Sequence, residues 1–246
     1  MKSSLLKASV LSFAIVAVMA PLAIGCGSDS SSSSGSEPEL KGAKLSIVTA
    51  TPAPPPKTLP TRTADFATLC QKTGEKQFTA AKSVIDPSKK YTAVMKTENG
   101  DMTIELNAQV APVTVNSFVF LACSGFYDGI TFHRVIPDFV AQGGDPTGTG
   151  MGDPGYSIPD EYSDLKFELG TIAMASTGPN TNSGGSQFFI CYNLSPESAA
   201  ALYGKYTIFG KVTAGLDVLN KLTPRDPQDN PTTPGDKILS ISITEQ

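Results

Sequence analysis

Residues 132–150 read FHRVIPDFVAQGGDPTGTG and continue as MGDPGY. TFHRVI and FVAQGG are short runs rich in apolar and β-branched side chains, separated by Pro137 and Asp138, the pattern of two strands joined by a turn. The loop after them, Gly143–Tyr156, holds six glycines in fourteen residues and spells G-x-G-x-x-G at Gly150, Gly152 and Gly155. A dinucleotide site built on that pattern needs a helix starting inside it, because free N–H groups at a helix N-terminus hold the pyrophosphate. Asp153-Pro154 lies inside this motif and Pro159 follows in YSIPDEYSD, so no helix can run there, and no lysine completes a phosphate loop. Neither a nucleotide nor any other cofactor is expected, and the glycines read as a loop using positive φ.

Working outward, the same short-strand grammar recurs. YTAVMKT and MTIEL flank Asn99-Gly100, a strong hairpin signal, and TIAMAS, QFFICY, TIFGKV and KILSISI follow. In the last, Leu239, Ile241 and Ile243 alternate with Ser240, Ser242 and Thr244, which predicts one buried and one wet face. About eight such strands predict a mainly β fold, a closed eight-stranded antiparallel barrel or a sandwich. Two helices interrupt them. Val115, Phe118, Val119 and Ala122 fall at helical spacing in APVTVNSFVFLACSGFY, as do Leu216, Leu219 and Leu222 in GLDVLNKL. Each is expected to cap an open end of the barrel.

The 246 residues suffice for one well-buried domain with extensions, and a formal net charge of −4 leaves no basic footprint for nucleic acid. Lys2 and Lys7 precede an apolar run from Val10 to Ile24 that ends in LAIGC, so residues 1–25 read as a signal peptide. The Gly25-Cys26 junction resembles a bacterial lipoprotein signal, which would leave a lipid on Cys26 and anchor the chain to the cell membrane on its extracytoplasmic side; an ordinary secretory signal also places it outside the cytoplasm. Residues 26–60 are first Ser-rich and then Pro-rich and read as a tether, and residues 61–87 as an N-terminal extension. Of the remaining cysteines, Cys191 lies in the buried-strand pattern QFFICY. Cys70 and Cys123 are therefore the better candidates for a disulfide joining extension to domain, although sequence does not fix connectivity. The single histidine, His133, excludes a His-rich metal site, and no metal is expected. It is also the one imidazole available to Ser183 or Ser186 of NSGGSQ as a base, and in its strand-like run it reads as structural rather than as part of a nucleophilic site.

FHRVIPDFVAQGGDPTGTG, GTIAMASTGPNTNSGGSQFFI (170–190), LYGKYTIFGKV (202–212) and PVTVNSFVFLACSGFYDGITFHRV (112–135) together resemble, in order, the signature blocks of the cyclophilins, a family of peptidyl-prolyl cis–trans isomerases. The resemblance covers residues 88–246 and implies an eight-stranded antiparallel barrel capped by two helices. It also implies a monomeric enzyme whose partners are proline-containing polypeptides, here exported ones. Rotation about an X-Pro bond breaks no bond, so neither nucleophile nor metal is needed; the catalyst must bind the twisted amide better than either planar form. By resemblance Arg134 is the donor to the prolyl nitrogen, a role suited to a guanidinium that stays charged and presents several N–H groups. An ordinary surface ion pair is its bland alternative.

Position by position, Phe139, Val140, Phe189 and Leu202 would line the proline pocket, although each could equally be core. Gln142, assigned with Arg134 to catalysis, and Gln187 would hold Arg134 and the substrate backbone. Ala175 and Ser176 would form the strand edge along which substrate lies, Gly148 would stand beside the pocket, and Tyr206 falls where many relatives carry His. There are departures: Val140 stands where Met is frequent, Ala201 where many members carry a tryptophan that contacts cyclosporin, Asp138 where glycine is usual, and NSGGSQ is two residues longer than the common NGSQ. The rival expectation is a non-catalytic module that binds proline-containing segments.

Overall fold

The computed structural model describes residues 58–229 and 231–246. The signal segment 1–25, Cys26 and the tether as far as Lys57 lie outside the described residues. The eight strands are β1 (Tyr91–Thr97), β2 (Gly100–Leu106), β3 (Arg134–Ile136), β4 (Val140–Gly143), β5 (Thr171–Met174), β6 (Phe188–Cys191), β7 (Ile208–Ala214) and β8 (Ile238–Glu245). They form one sheet of order β3-β4-β6-β5-β7-β2-β1-β8, every ladder antiparallel.

The expected closed barrel is corrected to an open half-barrel, because β3 and β8 are the two ends of the strand order and share no ladder. Pro137 has no N–H to donate and Asp138 turns to φ 61°, so β3 stops after three residues. Only isolated bridges reach across, Thr131 to Lys237 and Val135 to Arg225.

Alternation of side chains separates two apolar clusters. Val135, Ala141, Ile172, Phe188, Ile190 and Phe209 face the main core, while Val140, Ala173, Phe189, Cys191 and Ile208 form a smaller cluster on the opposite face. Leu239 is corrected from the buried face: it is 50% exposed, and Ile238 is buried instead. The register shifts between Lys96 and Thr97, whose partners are Ser240 and Ile238, and this bulge turns Leu239 outward.

The first expected helix is α2 (Pro112–Cys123), with Pro at its first turn; α1 (Phe66–Leu69) and α3 (Pro196–Leu202) are shorter. GLDVLNKL is not an α-helix but a six-residue 3₁₀ turn, Leu216–Lys221, entered through Gly215 at φ 81° and left at an extended Leu222. α3 has no apolar periodicity to announce it, although Ser195-Pro196 is a cap followed by a first-turn proline and the Ser195 hydroxyl accepts from Ser198 N at 3.2 Å.

Eleven of the twelve α2 residues are buried, more than one apolar stripe explains, because the extension covers the helix's outer side. Phe78 packs edge-on against Phe120 at 4.9 Å, and Asn116 Oδ1 accepts from Val84 N at 2.8 Å. Cys70 and Cys123 are joined as a disulfide, and Lys76 Nζ donates to the carbonyls of Gly125, Phe126 and Asp128 just beyond the helix. Burial lowers the Lys76 pKa, which the Asp128 charge partly offsets. At the other end Ala111 offers no capping side chain. The buried Glu161 carboxylate arrives from another loop to accept from Val113 N, Thr114 N and Thr114 Oγ1 at 3.1, 2.8 and 2.8 Å, where negative charge favours a helix N-terminus.

Replacing Cys70 and Cys123 together by Ser is expected to lower unfolding stability by about 2–4 kcal/mol in urea titration, the usual worth of a loop-closing disulfide. Glu161→Ala, which strips a helix terminus inside the core, is expected to cost about 1–3 kcal/mol in the same assay.

Candidate functional site

Because Arg134 and Gln142 are cross-strand partners and Gln142 is in turn opposite Phe189, the outward positions of β3, β4 and β6 bring a cation, an amide and an aromatic ring into one row. Around that row lies a cavity of about 110 Å³ lined by Arg134, Phe139, Val140, Gln142, Ala175, Ser176, Phe189, Leu202 and Tyr206. Phe189 is held on both sides, stacked on Phe167 at 6.2 Å and edge-to-face with Tyr206 at 5.3 Å. Burial raises the Tyr206 pKa and the Arg134 charge partly opposes the shift, so the hydroxyl stays a neutral dipole at the rim. Val140, Phe189 and Leu202 are buried and Phe139 is half-buried, all of them in the smaller cluster rather than the main core.

Arg134 stands at the edge of this cavity. Its guanidinium lies over the Phe139 ring, 5.9 Å from the centroid, and its Nε donates to Asp226 Oδ2 at 3.3 Å. Asp138 adopts a left-handed backbone at φ 61°, a conformation Asp tolerates better than most residues, and the turn brings Phe139 back toward Arg134. Ala175 and Ser176 continue β5 beyond its last residue, with Ala175 N donating to Gln187 O at 2.9 Å.

Two expected site residues do not line the cavity. Gln187 sits one bond behind it: its Oε1 accepts from Gln142 Nε2 at 3.0 Å, and its own Nε2 donates to Gly150 O and Gly152 O at 3.0 and 2.9 Å. Gly148, at φ 71°, belongs to a turn in which its N–H donates to Asp145 O at 3.2 Å. Tyr206 and Leu202, by contrast, both reach the cavity from the segment at the end of α3.

The glycine loop wraps a carboxylate of its own. Burial opposes ionisation of Asp145, but donors from Thr147 N, Thr147 Oγ1 and the N–H groups of Gly152 and Gly150 outweigh it and hold its pKa below the usual carboxylate range. A Cβ at Gly152 would collide with Asp145 Oδ1, and one at Gly155 with the Phe78 carbonyl of the extension. Gly152 and Gly155 are therefore required for close packing on Asp145 and on residues 77–78. Ser186, fully buried, donates to Gly144 O at 2.6 Å, Ser183 is bonded to Thr177 and Thr181, and neither ring nitrogen of His133 has a hydrogen-bond partner among the described residues. No serine–histidine pair forms among the described residues.

A wider groove of about 690 Å³ lies elsewhere, along Lys89–Thr92, Glu105–Gln109, Asp164–Lys166 and Lys211. It mixes lysines with carboxylates, two of them already joined as Lys211–Glu168 at 2.9 Å, and it contains no convergent apolar pocket with an oriented donor. The smaller cavity has both, and size does not decide between them. Asp226 was not foreseen from the sequence, since PRDPQD is a polar loop without periodicity.

The chain is similar in sequence and fold to known proteins. A family model described as cyclophilin type peptidyl-prolyl cis-trans isomerase/CLD matches residues 92–243. A peptidyl-prolyl cis-trans isomerase of Synechococcus elongatus is 45% identical over 153 residues, 61% of this chain and 94% of that one. A cyclophilin-type isomerase of Cryptosporidium parvum superposes with a TM-score of 0.56 at 37% identity, covering 64% of this chain and 99% of its own. The same protein solved in the presence of the dipeptide Ala-Pro gives 0.55 at 37% identity, with 63% and 99% covered.

His133 is 1% exposed, and burial pushes its pKa below the ordinary 6.5; the Asp145 charge opposes this, while Arg225 and Arg134 reinforce it. The unfolded chain therefore binds a proton that the folded chain refuses. The His133 contribution is present above about pH 6.5 and is lost as pH falls from there toward the folded value. Urea midpoints are expected to fall between pH 7 and 5 in the wild type and to stay flatter over that window in His133→Gln.

Proposed function

The chain belongs to the cyclophilin-type peptidyl-prolyl cis–trans isomerases, and from that membership we propose how its residues perform the reaction and where the protein works. It is an enzyme that accelerates rotation about X-Pro bonds. The substrate's proline ring occupies the cavity among Phe139, Val140, Phe189 and Leu202, whose apolar walls keep water from the amide. The preceding residues run along Ala175 and Ser176, where main-chain groups recognise a peptide without demanding particular side chains. As the amide twists, its resonance is lost and the lone pair localises on the prolyl nitrogen. The barrier of about 18–20 kcal/mol falls if a fixed donor meets that lone pair.

Arg134 supplies the donor. The observation that carries this reading is its placement: it is an outward residue of β3 at the cavity edge, with one guanidinium nitrogen tied back to Asp226. Gln142 spends one N–H of its amide on Gln187 and offers its carbonyl oxygen as an acceptor for the substrate backbone or Arg134. The bland ion-pair alternative and the catalytic role are compatible, because a guanidinium has five N–H donors and the pair uses one. Substrates are proline-containing segments, a reading supported by the Cryptosporidium relative solved in the presence of Ala-Pro.

The place of action is the extracytoplasmic face of a bacterial membrane, with Cys26 lipidated and residues 26–60 as the tether, so that exported polypeptides are the clients. Support comes from the signal-like N-terminus and from the Cys70–Cys123 disulfide, a bond that persists in oxidising compartments. Replacing Arg134 by Ala is expected to lower kcat/KM on an Ala-Pro peptide by about 10²–10³-fold without moving the unfolding midpoint by more than a small surface effect. An unchanged kcat/KM would exclude the proposed role.

A further inference from the structure

The geometry points to Asp226 as the positioning residue of Arg134, an inference that rests on Arg134 being the donor. The open edge of β3 is met by the segment after the 3₁₀ turn. Val135 N donates to Arg225 O at 2.8 Å and Arg225 N donates to Val135 O at 2.9 Å, a mutual pair of antiparallel type. In that register the residue before Val135 is opposite the residue after Arg225, so Arg134 faces Asp226 on one side as it faces Gln142 of β4 on the other.

The segment is firmly placed. Arg225 Nε donates to His133 O at 3.1 Å and its Nη1 to Thr233 O at 2.6 Å, while Thr223 N donates to Asp236 Oδ2 at 2.6 Å. The Asp226 carboxylate is itself oriented, its Oδ1 accepting from Gln228 N at 3.1 Å and its Oδ2 accepting from Arg134 Nε. The two side chains are 32% and 19% exposed, so this is a half-buried pair, not a mobile surface contact.

The choice of nitrogen carries the chemistry. Arg134 Nε is the donor nearest the backbone, and binding it fixes the plane of the guanidinium while leaving both terminal nitrogens for the prolyl amide. The Phe139 ring, its centroid 5.9 Å from the guanidinium carbon, packs against the same group. Asp226 thus prepays the ordering of a long side chain before substrate arrives, and the effect is felt where alignment matters, in the transition state.

The test compares full-length Asp226→Ala, Asp226→Asn and Asp229→Asn, with Arg134→Ala and the Arg134→Ala/Asp226→Ala double variant. kcat and KM are measured separately by NMR exchange on an Ala-Pro peptide. Asp229 is an exposed carboxylate of the same loop, and removing it takes away the same charge without touching Arg134. Asp226→Ala is expected to lower kcat on the order of tenfold with KM within about twofold. Asp226→Asn, which keeps an oxygen acceptor, should recover most of that loss, Asp229→Asn should match wild type, and the double variant should be no slower than Arg134→Ala. If Asp226→Ala retains wild-type kcat, or slows Arg134→Ala further by the same factor, the positioning role is overturned. If Arg134→Ala itself is unimpaired, the fault lies with the donor assignment beneath it. Superimposable amide spectra of Asp226→Ala and wild type outside residues 133–142 and 223–236 separate a local effect from misfolding; a global change transfers the decision to Asp226→Asn, where loss of kcat equal to that of Arg134→Ala would likewise overturn the inference.

Discussion

The register of β3 is the constraint on which the site depends. Three residues of strand suffice to set Val135 into the main core and Arg134 onto the opposite face, and the two neighbours of that strand then supply what the guanidinium needs. β4 brings Gln142, and the segment at the open edge brings Asp226. A shift of one residue would bury the cation and expose the valine, so the cost of an unpaired buried charge holds the register in place. Because the sheet does not close by a ladder, the edge of β3 is free to accept a loop in place of β8, and the openness of the half-barrel is what admits Asp226.

A second set of contacts makes the site rigid from behind. Gln142 leans on Gln187, Gln187 on the carbonyls of Gly150 and Gly152, and that loop on the buried Asp145. The extension reaches the same loop, with Phe78 N donating to Pro154 O at 2.7 Å and Gln77 Nε2 to Asp153 O at 3.0 Å. It is also tied to the sheet, where Arg62 donates to Glu245, which Tyr91 OH meets at 2.6 Å, and to α2 through the disulfide. Residues 61–87 are thus part of the folded unit and complete the burial of the central helix.

Much of this was legible in the sequence because it depends on local pattern. The strands, α2 and the six apolar or small residues of the cavity follow from alternation, from helical spacing and from family blocks. What was hidden depends on tertiary register. Nothing in KILSISI announces the bulge that exchanges Ile238 for Leu239, and leucines at 216, 219 and 222 do not distinguish a 3₁₀ turn from an α-helix. Glu161 and Asp226 lie in polar loops and gain their roles only when folding carries them to a helix terminus and a strand edge. The G-x-G-x-x-G spelling misleads for the same reason: its glycines answer to Asp145 and to Phe78, neither of which is in the motif.

On the proposed mechanism a directed donor, not merely a positive charge, meets the twisted amide. It is tested most directly by the cis–trans exchange rate of an Ala-Pro peptide bound to Arg134→Lys, measured by two-dimensional NMR exchange beside the wild type. A lysine keeps the charge but has neither the Nε anchored by Asp226 nor the planar fork, so bound-state exchange should slow by about 10²-fold while peptide affinity stays within a few-fold. Exchange at the wild-type rate in Arg134→Lys would contradict it.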